Sequence, residues 1–599
     1  MENSLPKRSS IDSKYKWNLE NIYENVGRWE EDYNNVKKLI NEIKEYQGKL
    51  VMSGKDLTDC LLKNDELMSI CDKVFVYSKM KRDEDNNNSM YQSLADRAMT
   101  LVTEAHAASS YIVPEIISIP EEKLKEFIRM NNSLKVYNQF FDELLRQKKH
   151  ILSEKEEKIL AMVHEISYAS KNIFTMFNNA DIKFPMIRNE EGNDVELTKG
   201  RYITFLESKD RRVRKEAFDA LYATYSKSKN TLAAALISNI KSGRFYATVR
   251  NYASSREASL DSDNLDISIY DNLISTIHKN LHLLHRYLKL RKKALKLEEL
   301  HMYDVYVPIV EENKKKVSYE DAINMVEKAL EPLGEEYVRN YKKGYSEGWI
   351  DVYENEGKTS GAYSWGAYLT HPYVLLNYQG TVNDVFTLAH EMGHALHTFY
   401  THENQPYIYS SYKIFVAEVA STVNETLLMK YLLSCTDDRK ERAYLLNHYL
   451  EEFRGTVFRQ VMFSEFEKII HDKIGEGDAL TTESISEIYF MLNKKYFGEE
   501  VYMDEQISLE WSRIPHFYNS FYVYKYATGF CAAQSLVNQI LTEGQPAIER
   551  YLEFLKSGSK DYPLNLLKSA GVDLSTSKPI EDGLAMFEGI LNELEELLV

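Results

Sequence analysis

The segment His390-Glu391-Met392-Gly393-His394 carries the residue types of a hydrolytic metal centre. Its two histidines are four residues apart, so on a helix their imidazoles project from one face and can chelate a single ion. Glu391 lies beside them, able to polarise a metal-bound water rather than bind the metal. Two histidines need a third protein ligand if one coordination position is to stay open for water. The segment FVAEVASTVNE supplies Glu418 and Glu425, seven residues apart and so roughly on one side of a second helix. One of them can enter the coordination sphere; the other is suited to hydrogen-bond a ligand imidazole and set its tautomer. Their apolar neighbours Phe415, Val416, Val419 and Val423 argue for a partly buried functional acid rather than a solvated helix charge. Such a ligand set points to one zinc ion.

Other histidines lack the full constellation. His164-Glu165 and His402-Glu403 have no histidine at the fourth place, and Pro406 closely follows the second pair, so both read as surface pairs. His278, His282 and His285 share a helix face without an adjacent acid and flank an Ile/Leu stripe, which reads as a structural or solvated face.

The motif needs a helix to carry it. Thr381 or Asn383 can cap one, and Val385, Leu388, Ala389, Met392 and Leu396 supply its apolar side. The preceding stretch, 348–381, is rich in Tyr, Val, Gly and Trp and lacks helical periodicity. It reads as a few strands, the last over HPYVLLNYQ. Most of the remaining chain has helical patterning. Amphipathic helices follow one another from 15 to about 180, with a capping box at Ser153–Glu156. A hairpin is predicted over DIKFPMIRNEEGNDVEL, and further helices over 208–297 and 318–333. The C-terminal helix sets Leu584, Phe587, Leu591, Leu594 and Leu598 on one face. The organisation read from this is an N-terminal helical region (1–115), a helical region with a hairpin (116–205) and a metal-bearing region (206–599). The fold class is mainly α, with a small β-sheet next to the motif helix.

With 599 residues, two or more lobes are expected. Only 24 glycines and 12 prolines agree with long helices rather than a turn-rich β fold. The net charge of −17 argues against nucleic acid as a partner, since phosphate binding needs a basic surface. Four cysteines without a CxxC pair read as reduced thiols. No apolar h-region and no membrane-length apolar run is present, so a cytoplasmic location without membrane insertion is the expectation. No sequence feature specifies an oligomeric state.

The motifs TLAHEMGHALHTFY and FVAEVASTVNE, with DVYENEGKTSGAYSWGAY before them and RIPHFYNSFYVYKYATGF after, resemble the thimet-oligopeptidase-like (M3) family of zinc metallopeptidases, and within it the oligoendopeptidase F subgroup. WNLENIY and GRWEEDY near the N-terminus extend the resemblance over most of the chain. It implies that Glu418 is the third zinc ligand, with Glu425 and His397 supporting the ligands from behind. It also implies a two-lobed helical ellipsoid with a deep channel and an endopeptidase acting on short unstructured oligopeptides. Gly361, Ala362 and Tyr363 match the family's edge strand, whose main chain pairs with the substrate backbone. In the run His516, Tyr518, Tyr522, Tyr524, Tyr526, the resemblance assigns oxyanion stabilisation to His516 and Tyr524, with Tyr522 as a further candidate. Phe521 stands where the family often carries a tyrosine. Two alternatives accompany this reading: an inert peptide-binding scaffold, disfavoured because the ligands and base are all present, and a carboxypeptidase mode.

Overall fold

In the computed structural model, which describes residues 5–311 and 316–598, the motif helix runs Val382–Asn404. Of the two candidate caps, Thr381 is the one used. Its hydroxyl accepts from Asp384 N–H (3.2 Å), and the Asp384 carboxylate accepts from Thr381 N–H (2.8 Å). This reciprocal pair satisfies two amides that the helix start would otherwise leave without partners. The predicted apolar side (Val385, Leu388, Ala389, Met392, Leu396) is buried, joined by Phe386.

The small sheet lies directly before this helix. Tyr373–Leu375 is its central strand, parallel to Ile350–Asp351 and antiparallel to Tyr363–Trp365, with Tyr363 opposite Leu375 and Trp365 opposite Tyr373. All three residues of the central strand are fully buried, which explains why it reads as a continuous apolar run rather than an alternating one. Tyr363–Trp365 is therefore an edge strand. It is anchored from behind: the Tyr363 hydroxyl donates to the buried Asp83 (2.9 Å), and the Asn377 amide donates to the carbonyls of Gly361 (2.8 Å) and Thr359 (3.0 Å).

The other predicted landmarks are present. The Glu156 carboxylate accepts from Ser153 N–H (2.9 Å) at the start of helix Glu154–Met176. The hairpin pairs Met186–Arg188 with Asp194–Glu196. Helix Lys578–Leu598 buries Leu584, Phe587, Leu591 and Leu594, whereas Leu598, in the last turn, is only half-buried.

The chain forms two compact units, each assembled from separated segments. One comprises Met1–Lys149, Lys314–Leu432 and Leu536–Val572; the other His150–Asn313, Leu433–Ser535 and Asp573–Val599. This differs from the contiguous division at 115 and 205, because both units draw on 206–599. Contact decides compactness, and residues close in sequence need not share a core. In the first unit, helices Val26–Lys44, Gly54–Glu84 and Ser89–Ser109 enclose a core containing Trp29, Val74 and Leu101, to which Tyr373 and Leu375 of the sheet also belong. In the second unit Glu510 is buried between Arg459 (2.8 Å) and Arg513 (2.6 Å), which offset the cost of placing its charge inside.

Candidate active site

Helix Ile414–Cys435 packs against the motif helix. The approach is close because Gly393 has no side chain: a Cβ there would lie 2.5 Å from Ser421 Cα and 2.7 Å from the Ala420 carbonyl. Asn424 locks the pair, its amide donating to the Ala389 carbonyl (3.1 Å) while its oxygen accepts from the Tyr337 hydroxyl (2.8 Å). These contacts carry Glu418, one turn before Ser421, up to the two histidines.

His390 Nε2 lies 3.2 Å from His394 Nε2, and Glu418 Oε2 lies 3.5 and 3.6 Å from the two nitrogens. Ligand atoms about 2.0–2.1 Å from a tetrahedral ion stand roughly 3.3 Å from one another. Three atoms at nearly that spacing match one face of such a tetrahedron. His390, His394 and Glu418 form the only such group of potential ligands among the described residues. His390 Nδ1 donates to Glu425 Oε1 (3.2 Å), which leaves Nε2 as the bare ligand nitrogen.

The electrostatics favour a cation at this place. Burial works against charge on His390, yet the carboxylates of Glu425, Glu391 and Glu418 outweigh it and hold the imidazole pKa up at about 9. A hydrogen bond from His394 pulls the Glu418 carboxyl below its ordinary range against the effect of burial. Glu391 is moved the opposite way, because burial raises its pKa more than the two histidines lower it. The ligand acid is thus kept ionised and the adjacent acid is made a better proton acceptor. A divalent metal fits the donor set, the spacing and the sign of the field.

His397 stacks flat on Tyr412 (3.7 Å, 3°) and is fully buried, with its pKa pushed down to about 3 by burial and by His394. It supports the motif helix as a neutral packing group. The other histidines separate as follows. His164 is exposed. His278 bonds Glu465 (2.7 Å) and His285 bonds the Tyr496 carbonyl (3.1 Å), both structural links. His402 is half-buried against Tyr368 rather than solvated.

Gly361 adopts φ +86°, which only glycine takes without strain, and it leads into the edge strand through Ala362 and Tyr363. The Tyr363 side chain is committed inward to Asp83, so the strand presents main chain rather than this hydroxyl.

In the second unit, His516, Tyr522 and Tyr526 form one partly exposed aromatic cluster, with ring centroids 5.4–6.4 Å apart. Tyr524 is not part of it. It is fully buried against Tyr270 (5.1 Å), and burial raises its pKa far above the ordinary value. Tyr518 is likewise buried, stacked on Phe174 (4.3 Å). Tyr526, not among the sequence-based candidates for oxyanion stabilisation, takes its place in this cluster. The helix begins at Tyr524; Tyr522 stands just before it and Tyr526 in its first turn, and their rings meet 5.4 Å apart while Tyr524 packs into the core.

Two imidazoles and a carboxylate converging beside a buried glutamate, on a mainly helical scaffold, define a metallopeptidase of the HExxH class. Residues 204–586 match the model of peptidase family M3 and residues 115–184 that of oligopeptidase F, and the chain belongs to peptidase family M3. It is 50% identical to oligopeptidase PepF of Bacillus subtilis (strain 168), over 100% of this chain and 89% of that one. A solved chain from Chlamydophila abortus superposes with a TM-score of 0.93 at 33% identity, covering 99% of this chain and 100% of its own. The crystal structure of oligoendopeptidase-F from Enterococcus faecium gives a TM-score of 0.75 at 38% identity, covering 96% and 99%. The chain is a metallopeptidase that hydrolyses peptide bonds. No helix among the described residues is long and apolar enough to cross a membrane.

Proposed function

We propose that this chain is a zinc-dependent oligoendopeptidase that cuts internal bonds of short, unstructured peptides, with one zinc ion held by His390, His394 and Glu418. The observation that carries the reading is the convergence of those three ligand atoms, 3.2–3.6 Å apart, beside the buried Glu391. The names of the Bacillus and Enterococcus relatives support short peptides and internal bonds. When bound, zinc supplies Lewis acidity that polarises a carbonyl and makes water more acidic.

Glu391 is the general base. It takes a proton from the attacking water as the new C–O bond forms, keeps it on its carboxyl, and delivers it to the amine nitrogen as the C–N bond breaks. Its raised pKa suits both transfers, because the group must accept the proton and then return it. Glu425 holds His390 in the tautomer that offers Nε2. His516, Tyr526 and Tyr522 donate hydrogen bonds to the developing oxyanion. Tyr526 replaces Tyr524 in this role because Tyr524 is sealed in a core. The main chain of 361–363 pairs with the substrate backbone, which accounts for tolerance of many sequences.

The test is cleavage of an internally quenched peptide, blocked at both ends, with and without a chelator. Internal cleavage that a chelator abolishes and zinc restores is the expected result; trimming of unblocked peptides alone would refute the endopeptidase mode. Glu391→Gln is expected to retain zinc and to lose about 10²–10⁴ in kcat, the range for a general base. Wild-type turnover in that variant would remove Glu391 from the mechanism.

A further inference from the structure

Among the buried acids, one has no cation beside it and no part in the chemistry above. Glu467 lies on helix Arg459–Glu476, is 1% exposed, and makes no ion pair among the described residues. Its Oε1 accepts the backbone N–H of Phe521 at 3.0 Å. Phe521 is itself buried and sits at φ +58°, the left-handed region that bulky side chains rarely adopt. Its ring is wedged between Tyr270 (5.8 Å) and His471 (4.6 Å).

This residue occupies a telling position in the chain. His516 precedes it by five residues, Tyr522 follows immediately, and Tyr526 lies one helical turn further on. A left-handed residue at 521 turns the chain between the His516 segment and the helix that carries Tyr526. Such a conformation persists only where its surroundings over-determine it, and strained backbone of this kind concentrates at functional sites. Here the constraints on Phe521 include the ring packing and the hydrogen bond from Phe521 N–H to Glu467, with further hydrogen bonds at Asn519 and Ser520. Without that acceptor the amide would be buried and unsatisfied.

We infer that Glu467 is a positioning residue for the peptidase reaction: by holding the left-handed turn at Phe521 it sets His516, Tyr522 and Tyr526 into one cluster. The inference rests on the reading that this cluster donates to the oxyanion. Burial raises the Glu467 pKa to about 8, so at neutral pH the group is a neutral acid accepting through its carbonyl oxygen. Glutamine reproduces that acceptor at the same length, whereas leucine keeps the bulk and removes it.

The experiment compares Glu467→Gln, Glu467→Leu, His516→Ala and Tyr526→Phe in the zinc-loaded full chain on the blocked quenched peptide, measuring kcat and KM separately. Glu467→Gln is expected to keep kcat within about twofold. Glu467→Leu is expected to lower kcat about 10-fold or more at nearly unchanged KM and zinc content, since misplacing a catalytic group by about 1 Å can cost up to 10²-fold. Wild-type kcat in Glu467→Leu, with His516→Ala and Tyr526→Phe slowed, overturns the inference and leaves the oxyanion reading intact. Equal losses in the Gln and Leu variants also overturn it, because charge rather than the acceptor would then matter. Wild-type kcat in both His516→Ala and Tyr526→Phe defeats the oxyanion reading itself. If Glu467→Leu does not fold, amide exchange of the 516–526 segment in the wild-type protein decides the matter. The Phe521 amide is expected to be protected well beyond that of its half-buried neighbour Ser520, and equal exchange would sink the proposal.

Discussion

Replacing Gly393 by alanine tests whether the metal centre depends on how closely two helices approach. The substitution has two opposing effects. Alanine is a better helix former than glycine by about 0.8–1.0 kcal/mol, so a freely exposed site would be stabilised. At Gly393, however, the new methyl would lie 2.5 Å from Ser421 Cα, 2.7 Å from the Ala420 carbonyl and 2.8 Å from Ser421 N. All three are backbone atoms and no rotamer change relieves them. Reaching an ordinary contact of 3.4 Å requires the helices to separate locally by roughly 0.9 Å, beyond the ~0.5 Å tolerance of a preorganised site. Overpacking of this kind costs about 1–3 kcal/mol, so the net change is a destabilisation of up to about 2 kcal/mol. Because Glu418 is on the displaced turn, zinc affinity is expected to fall by about 10–100-fold, the range seen when ligand support is lost. Thermal unfolding of the apo protein and zinc competition against a chromogenic chelator measure the two effects separately. Unchanged zinc affinity in Gly393→Ala would refute the claim that helix separation sets the ligand geometry.

Two further outcomes concern the half-buried Glu425 and the buried Glu467. Glu425→Gln removes the carboxylate behind His390 Nδ1 and is expected to weaken zinc about 10–100-fold while leaving the fold intact, read by the same competition and by thermal unfolding. Glu467 has a folded-state pKa raised from 4.5 to about 8, so the folded protein binds more protons than the unfolded one across that window. Its favourable contribution is fully present below pH 4.5 and is lost as pH rises through 8. The total loss is on the order of 5 kcal/mol at 1.36 kcal/mol per unit. Denaturant unfolding of Glu467→Gln against wild type between pH 5 and 9 measures it, with the variant gaining relative stability as pH rises. A constant difference between the two would disprove the neutral-acid assignment.

The candidate chelating pair was legible early because its geometry is local. His390 and His394 lie on one helix, and a turn of helix sets the distance between their rings wherever the helix goes. The motif helix, its Thr381 cap, the central strand at 373–375 and the hairpin at 186–196 are similarly short-range, read from caps, periodicity and turn residues. The choice between Glu418 and Glu425 was not local. Seven residues apart on one face, both were eligible, and the resemblance rather than the spacing favoured Glu418. The packing then gave each a distinct part, Glu418 at the two Nε2 atoms and Glu425 behind Nδ1.

The tyrosine run was hard to read for a related reason. Alternate residues 522, 524 and 526 looked equivalent in a string, but a helix starting at 524 turns the middle one into the core. Composition, helical content and the chelating pair were thus determined by the sequence itself, because neighbouring residues and short-range sterics specify them. Which acid meets the two imidazoles, why a side chain at position 393 would clash, which tyrosines stay accessible and what holds Phe521 left-handed were decided only by the tertiary structure. Each depends on atoms from distant segments brought within a few ångströms, and that proximity exists only after the chain has packed.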